Sequence, residues 1–302
     1  MTDQLQVKYI KRKNKLRKIV TYVGHNDLRK YHEEVVKYLK KNTRDSIFAK
    51  AYVQGSSIYK NADAHIYNDI FIKMDIKDFF QSIHHKYLAE CLFFEINKNT
   101  NISRKECYDI VRKCSVGKKG LPLGLVTSPS LANLYMKEFD GILYGKLKHM
   151  ELKNPIYTRY ADDMIISFQS DSYNEEKIEN ILQLVRALLG RVHLSLNEKK
   201  TSVTNLKKSN HVRITGVSIT VDQNNYRHIS VGRKLKNELF WKAINLYEAQ
   251  EKNGLEIMRL KGLLSFALSV EKKGIDSYYS EQMKDILKKK GFDNIKAMID
   301  AL

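Results

Sequence analysis

Three acidic side chains stand where chemistry could be done. Asp75 lies in the run IFIKMDIKDFF (70–80), and Asp162 and Asp163 lie in IYTRYADDMIISFQ (156–169). In the first run Ile70, Ile72, Met74 and Ile76 alternate with Phe71, Lys73 and Asp75. A period of two predicts a strand with one wholly apolar face, and puts Asp75 near its end on the other face, with Lys73. The second run reads as two strands around a short acidic tip, a β-hairpin with adjacent carboxylates at its turn. Two neighbouring aspartates in a turn usually mean a solvated loop. Here Tyr160 and Met164 to Phe168 are apolar strand, so rigid structure holds the pair, as a metal site requires. Gathered carboxylates are costly unless they are protonated or bind cations. Hard oxygen ligands with no His or Cys nearby suit Mg²⁺ or Mn²⁺. Two such ions roughly 3.5–4 Å apart can activate an attacking hydroxyl and stabilise a leaving oxygen. Phosphoryl transfer then asks for little beyond positioning and charge neutralisation.

The rest of the chain must position these acids. Its 302 residues suggest about two domains, and 53 Lys+Arg against 34 Asp+Glu give a net charge of +19. That excess points to a polyanionic partner, nucleic acid or an anionic membrane surface. The longest apolar stretch, 262–270, is far short of the ~20 residues of a spanning helix. Residues 1–18 are polar and basic, so no signal peptide is expected. Cys91, Cys107 and Cys114, with no CxxC, fit free thiols in a reducing cytosol and argue against structural zinc. The chain also lacks a Walker-type phosphate loop. The basic run from Lys8 to Lys18 is expected to be a phosphate-binding arm rather than a solvated tail. Helical spacing is found over 27–41, mainly over 88–114, from Ser128-Pro129 onward, and over 175–189. Residues 192–203 and 213–221 read as strands. Helices are expected over 234–250, 255–270 and 280–290, with a subdomain boundary near 231–234.

Three segments in order carry a resemblance. FIKMDIKDFF (71–80), GLPLGLVTSPSLANLYM (120–136) and TRYADDMIIS (158–167), followed by NEKKT (197–201), resemble the successive motifs of reverse transcriptases. Tyr160-Ala161-Asp162-Asp163 is similar to their YxDD signature. NADAH (61–65) is similar to the NAxxH element of retron reverse transcriptases, and ITG (214–216) to their VTG element with Ile for Val. GLLSFALSVE (262–271) resembles their thumb. The resemblance implies an α+β right-hand polymerase fold. Fingers with a basic N-terminal arm would span 1–69. A palm with an antiparallel sheet and the YADD hairpin would span 70–231, with a finger insertion around 85–120, and a helical thumb 232–302.

It also implies an RNA-directed DNA polymerase using dNTPs and two Mg²⁺ ions, or Mn²⁺. Such an enzyme would copy part of its own structured noncoding RNA (msr–msd) into branched msDNA, primed from an RNA 2′-OH. It would work in the cytoplasm, off the membrane, in an antiphage defence system with an effector protein. Carried over, Asp75, Asp162 and Asp163 are the catalytic carboxylates and metal ligands, joined by the backbone of Ile76. Lys15 and Arg17 fall where the triphosphate is gripped, and Phe80 at the steric gate against a ribose 2′-OH. Leu123 and Gly124 fall in the nucleotide-binding loop, and Lys200, or equally Lys199, near the leaving pyrophosphate. Contacts to nucleic acid fall to Asn61, His65, Tyr160, Thr215, Gly216, Arg233 and Lys234.

One departure is visible. Leu123 stands where many members of the family have Gln, which removes a hydrogen bond to the incoming sugar but no metal ligand. Synthesis is expected to survive it. Two other readings compete: an RT-like RNA-binding scaffold in a defence complex, and a group II intron-like or abortive-infection polymerase. Three clustered acids with Phe80 speak against the first, and NADAH with ITG against the second. Elsewhere, Asn61 is expected to cap a turn or helix, and His65 to be structural or to support RNA contact. His84 and His85 are expected in a solvated loop, and Trp241 in a helical core.

Overall fold

The computed structural model describes residues 4–12, 15–97, 99–251 and 253–302, and only the backbone of residues 12 and 15. The chain forms two compact units. One joins Met1–Ser57 to Tyr67–Lys207, and the other joins Ile58–Ile66 to Lys208–Leu302. The division therefore precedes the composition shift near 231.

In the first unit the basic run is a ribbon. β1 (Leu5–Arg12) and β2 (Lys15–Tyr22) pair antiparallel, from Leu5 opposite Tyr22 to Arg12 opposite Lys15. α1 (Asp27–Asn42) starts where the Asn26 side chain accepts the Arg29 N–H. Asp27 in its first turn and Lys40 and Lys41 in its last complement the helix dipole. The chain passes through α2 (Ile58–Asp63) of the second unit and returns as β3 (Ile70–Asp75) and α3 (Phe79–Ser82). The helices α4 (His85–Ile96), α5 (Arg104–Lys113) and α6 (Ser128–Leu147) follow. α5 is opened by a capping box of Ser103 and Glu106, and α6 carries Pro129 in its first turn. The β4 (Ile156–Tyr160) and β5 (Asp163–Phe168) hairpin, α7 (Glu175–Arg191) and β6 (Ser202–Asn205) complete the unit. The sheet has the order β4-β5-β3-β6, every pair antiparallel.

One sheet face, with Ile70, Ile72, Met74, Met164, Ile166 and Phe168, shares a core with Tyr135, Phe139 and Leu143 of α6 and Ile181 and Val185 of α7. The other face of β3 is not solvated as its alternation implies. Phe71 is 0% and Asp75 6% exposed, so the strand is buried on both faces. Residues 192–203 depart from the expected strand. Only Ile76 and Leu196 form a bridge before the chain turns through a 3₁₀ segment, Glu198–Lys200, into β6. His84 and His85 are not a solvated loop pair either, although His84 lies just outside the helix. His84 caps α4, accepting the Tyr87 N–H. His85 is buried with a ring nitrogen 2.8 Å from the Gly120 carbonyl.

α8 (Leu206–Ser209) carries the chain into the second unit. There β7 (His211–Ile214), β8 (Val217–Val221) and β9 (Arg227–Ser230) form an antiparallel sheet beside α2. The helices α9 (Arg233–Glu248), α10 (Gly254–Val270), α11 (Glu281–Lys289) and α12 (Ile295–Asp300) follow. A buried ion pair joins two of them. Glu271, just past α10, bonds Lys236 Nζ of α9 at 2.9 Å, and also accepts the Ser230 hydroxyl and the Val231 N–H. Trp241 is not core: its neighbour Phe240 takes that place, and the indole is 49% exposed.

Candidate active site

Strand register builds the acidic cluster. Asp75, the last residue of β3, lies directly opposite Asp163, the first of β5. Ala161 and Asp162 make the turn before it, with Ala161 at φ +58°. The Asp162 carbonyl accepts the Ile76 N–H at 3.0 Å, which ties the turn to the end of β3. On the other side, the Asn197 N–H donates to the Asp75 carbonyl at 2.8 Å, and its side-chain amide to Asp75 Oδ2 at 3.0 Å. Lys200 pairs with Asp75 Oδ1. Lys199 makes no hydrogen bond or ion pair among the described residues, so the geometry separates two lysines that the sequence leaves equal.

Charge in this cluster is only partly compensated, by the Lys200 ion pair. Asp163 is exposed at the head of β5, yet partial desolvation, then the Asp162 and Asp75 carboxylates, push it up to about 6. Burial also raises Asp162, with Lys200 and Arg17 opposing. Like charges directly opposite on neighbouring strands are destabilising unless a cation lies between them. Among the described residues no three His, Cys, Asp or Glu side chains close around one point. Asp75 and Asp162 nonetheless line one side of the same cleft, and Mg²⁺ is commonly held by one or two carboxylates and completed by substrate phosphates. The donor set therefore fits a divalent cation.

A cleft of 470 Å³ opens over the cluster. Asp75, Asp162, Asn197 and Lys200 form one side, and Arg17, Tyr52, Phe80 and Leu123 line the rest. Asp163 lies at the register position but does not line the cleft. Phe80 is 8% exposed, its ring packed against Phe79. The loop with Leu123 lies against β2, and the Val20 N–H donates to the Leu123 carbonyl at 2.8 Å. Gly124 permits that approach: its φ is +107°, and a Cβ there would lie 2.4 Å from the Val20 carbonyl oxygen. Gly124→Ala is thus expected to lower unfolding stability by about 2 kcal/mol or more in a denaturant melt. The Lys15 side chain lies outside the described residues.

Behind the acidic turn is a polar network that the sequence reading missed. Arg159 of β4 is wholly buried. Its guanidinium grips both oxygens of Asp140 at 2.8 Å, and one nitrogen reaches Asn133 Oδ1 at 3.1 Å and the Ala161 carbonyl at 3.3 Å. Tyr157 donates to the same Asp140 at 2.8 Å, and Asn133 donates to the Ala51 carbonyl at 2.9 Å. The available signal was a charged residue at an inward position of an apolar strand.

The second unit holds the other expected contacts. Asn61 and His65 are 0% exposed, so neither side chain is open to RNA. Asn61 lies inside α2 rather than capping it, and donates to the Thr215 hydroxyl at 3.1 Å. Thr215 and Gly216, both with positive φ, form the β7–β8 turn, and Gly216 is exposed. Arg233 and Lys234 are exposed in the first turn of α9, where cations oppose the helix dipole and an anion would relieve it. Tyr160, opposite Asp163, is half-buried.

Residues 10–219 match the family described as "Reverse transcriptase (RNA-dependent DNA polymerase)". The chain is 28% identical over 246 residues to the Retron Ec83 reverse transcriptase of Escherichia coli, covering 79% of this chain and 74% of that protein. It is 27% identical over 252 residues to the Retron Ec86 reverse transcriptase of Escherichia coli, covering 83% and 72%. In fold it is similar to apo telomerase from Candida tropicalis, with a TM-score of 0.56 and 12% identity. That likeness covers 89% of this chain but 57% of the telomerase chain.

Proposed function

The chain belongs to the reverse transcriptase family and is a retron-type RNA-directed DNA polymerase, and from that premise we propose how its site works and what it copies. The carrying observation is the in-register pairing of Asp75 with Asp163 beside Asp162, with Lys200 on Asp75. Asp75, Asp162 and Asp163, with the Ile76 backbone, would hold two divalent cations, which would supply charge neutralisation and a more acidic attacking hydroxyl. Arg17 on β2 meets the triphosphate. Lys200 stands ready to donate a proton to the leaving pyrophosphate, and Phe80 closes the sugar pocket against a 2′-OH. Of the fingers (1–69) and palm (70–231), the first unit supplies all but residues 58–66 and 208–231, and the helices from 232 on form a thumb. Thr215, Gly216, Arg233 and Lys234 meet nucleic acid, while Asn61 and His65 support that surface from inside.

The template is the chain's own noncoding RNA (msr–msd), and the product is msDNA, made in the cytoplasm within an antiphage system that includes an effector. The retron relatives support this reading. Its test is expression with the upstream intergenic region, followed by a search for short RNase-resistant DNA. A band lost when Asp162 and Asp163 are both changed to Ala supports it. No band, with RNA still copurifying, overturns it.

Two substitutions read the site separately. Lys200→Ala is expected to lower kcat by about 100-fold, in the range of a lost general acid. Lys199→Ala should stay within about twofold of wild type, and equal losses in the two variants would remove Lys200 from this role. Phe80→Ala is expected to raise rNTP incorporation relative to dNTP by at least about tenfold, measured by competing the two on one primed template.

A further inference from the structure

Tyr52 is held in a costly conformation that leaves its ring exposed. Its φ is +61°, in the left-handed region that bulky side chains avoid. The residues before it are fixed from two directions. Ala49 bridges to Arg159, the Lys50 N–H donates to the Arg159 carbonyl at 2.7 Å, and Ala51 accepts from Asn133. The residues after it turn at once, with the Ser56 N–H on the Val53 carbonyl. Despite this anchoring, Tyr52 is 56% exposed. The backbone thus spends strain to present an aromatic face rather than bury it.

What that face borders is specific. Tyr52 lines the catalytic cleft with Asp162, Phe80 and Arg17. It also lines a separate open groove of 490 Å³ between the end of α1 and the start of α6. Lys40 and Arg44 bring positive charge to that groove, and Thr43, Gln54 and Ser130 bring hydrogen-bonding groups, against one acid, Asp45. Among the described residues, Tyr52 alone is common to the two linings. Cations that track a backbone beside a ring that any base can stack on are what single-stranded nucleic acid requires.

We propose that this groove takes the unpaired RNA template strand ahead of the catalytic cleft, and that Tyr52 is the platform on which its first unpaired base stacks. The proposal rests on the polymerase reading and adds to it the route and the positioning residue of the template. Tyr52 separates the base in the catalytic cleft from the next one, so that one template base at a time is offered for pairing. Lys40 and Arg44 hold the phosphates that follow.

The test uses the full chain with a DNA primer annealed to an RNA template carrying 2-aminopurine at the first unpaired position. Tyr52→Phe keeps the ring. Tyr52→Asn removes it with a residue that tolerates positive φ. Stacking should quench the fluorophore in wild type and Tyr52→Phe but not in Tyr52→Asn. Lengthening the template overhang from one to four nucleotides should tighten binding by about tenfold in the first two proteins. The gain should vanish in Tyr52→Asn, and shrink in a Lys40→Gln, Arg44→Gln double variant. Equal quenching and equal overhang gain in all proteins would overturn the proposal even with normal synthesis. Normal quenching without any synthesis would overturn the polymerase reading and leave the groove assignment standing.

Discussion

Replacing Asp163 with Asn should cut single-nucleotide incorporation by about 10³-fold or more, and Asp75→Asn should do the same. A cation that neutralises phosphoryl charge is worth several kcal/mol in the transition state, and about 1.4 kcal/mol is a factor of ten. Asn keeps the shape of the side chain and removes the charge, so the substitution separates chemistry from folding. Asp75→Asn keeps an oxygen for the Asn197 amide or for Lys200, but not the carboxylate that now serves both. Asp163→Asn also removes one of the like charges gathered across the β3–β5 register. Without divalent metal, that variant should therefore melt at or above the wild-type temperature. Mg²⁺ should raise the melting point of wild type and have little effect on the variant. RNA binding measured by filter retention should be unchanged. Incorporation above a tenth of the wild-type rate would take Asp163 out of the site.

Breaking the buried pair behind the turn should have the largest effect on stability. Arg159 and Asp140 are both 0% exposed and joined by two hydrogen bonds of 2.8 Å. Asp140→Leu leaves a guanidinium buried without its partner, which typically costs about 3–5 kcal/mol. The melting point should fall by roughly 10 °C or more. Changing both residues, Arg159→Met with Asp140→Leu, should recover much of that loss, because two apolar side chains can replace a buried pair at little cost. The double variant should nonetheless synthesise poorly, since the Ala161 carbonyl and Asn133 lose the guanidinium that links them. Recovery of stability and full synthesis together would show that the network merely fills space.

The parts of this design visible in the sequence are those written in short stretches. The alternation over 70–76 marks β3, the apolar flanks of the acidic pair mark a rigid hairpin, and the helical faces of 27–41 and 175–189 correspond to α1 and α7 within two residues at each end. What stayed hidden depends on distant partners. Asp75 and Lys200 are 125 positions apart, so nothing local distinguishes Lys200 from Lys199. His85 looks like a polar residue in a loop until the Gly120 carbonyl, 35 positions on, accounts for its burial. Residues 192–203 have strand composition, yet the turn at Asn197 that brings Lys200 to Asp75 interrupts any ladder. Tyr52 is less legible still. No glycine or asparagine marks its left-handed backbone, which is imposed by the anchoring of Ala49 to Ala51.

The path of the chain also bears on its synthesis. The α2 segment leaves the ribosome early, but the hairpin that receives the Asn61 side chain lies 154 positions later. At ~5–20 residues per second, that is a wait of roughly 10–30 s. Throughout it, Ala62 and His65, both 0% exposed in the finished fold, have no interior to enter. The sheet of the surrounding unit is itself complete only once β6 (Ser202–Asn205) has been made, near the end of that interval, and the α2 segment is still unsatisfied then. A ribosome stalled before residue 221 would therefore present this short helix to chaperones, and a fragment ending there would be the form most prone to aggregate.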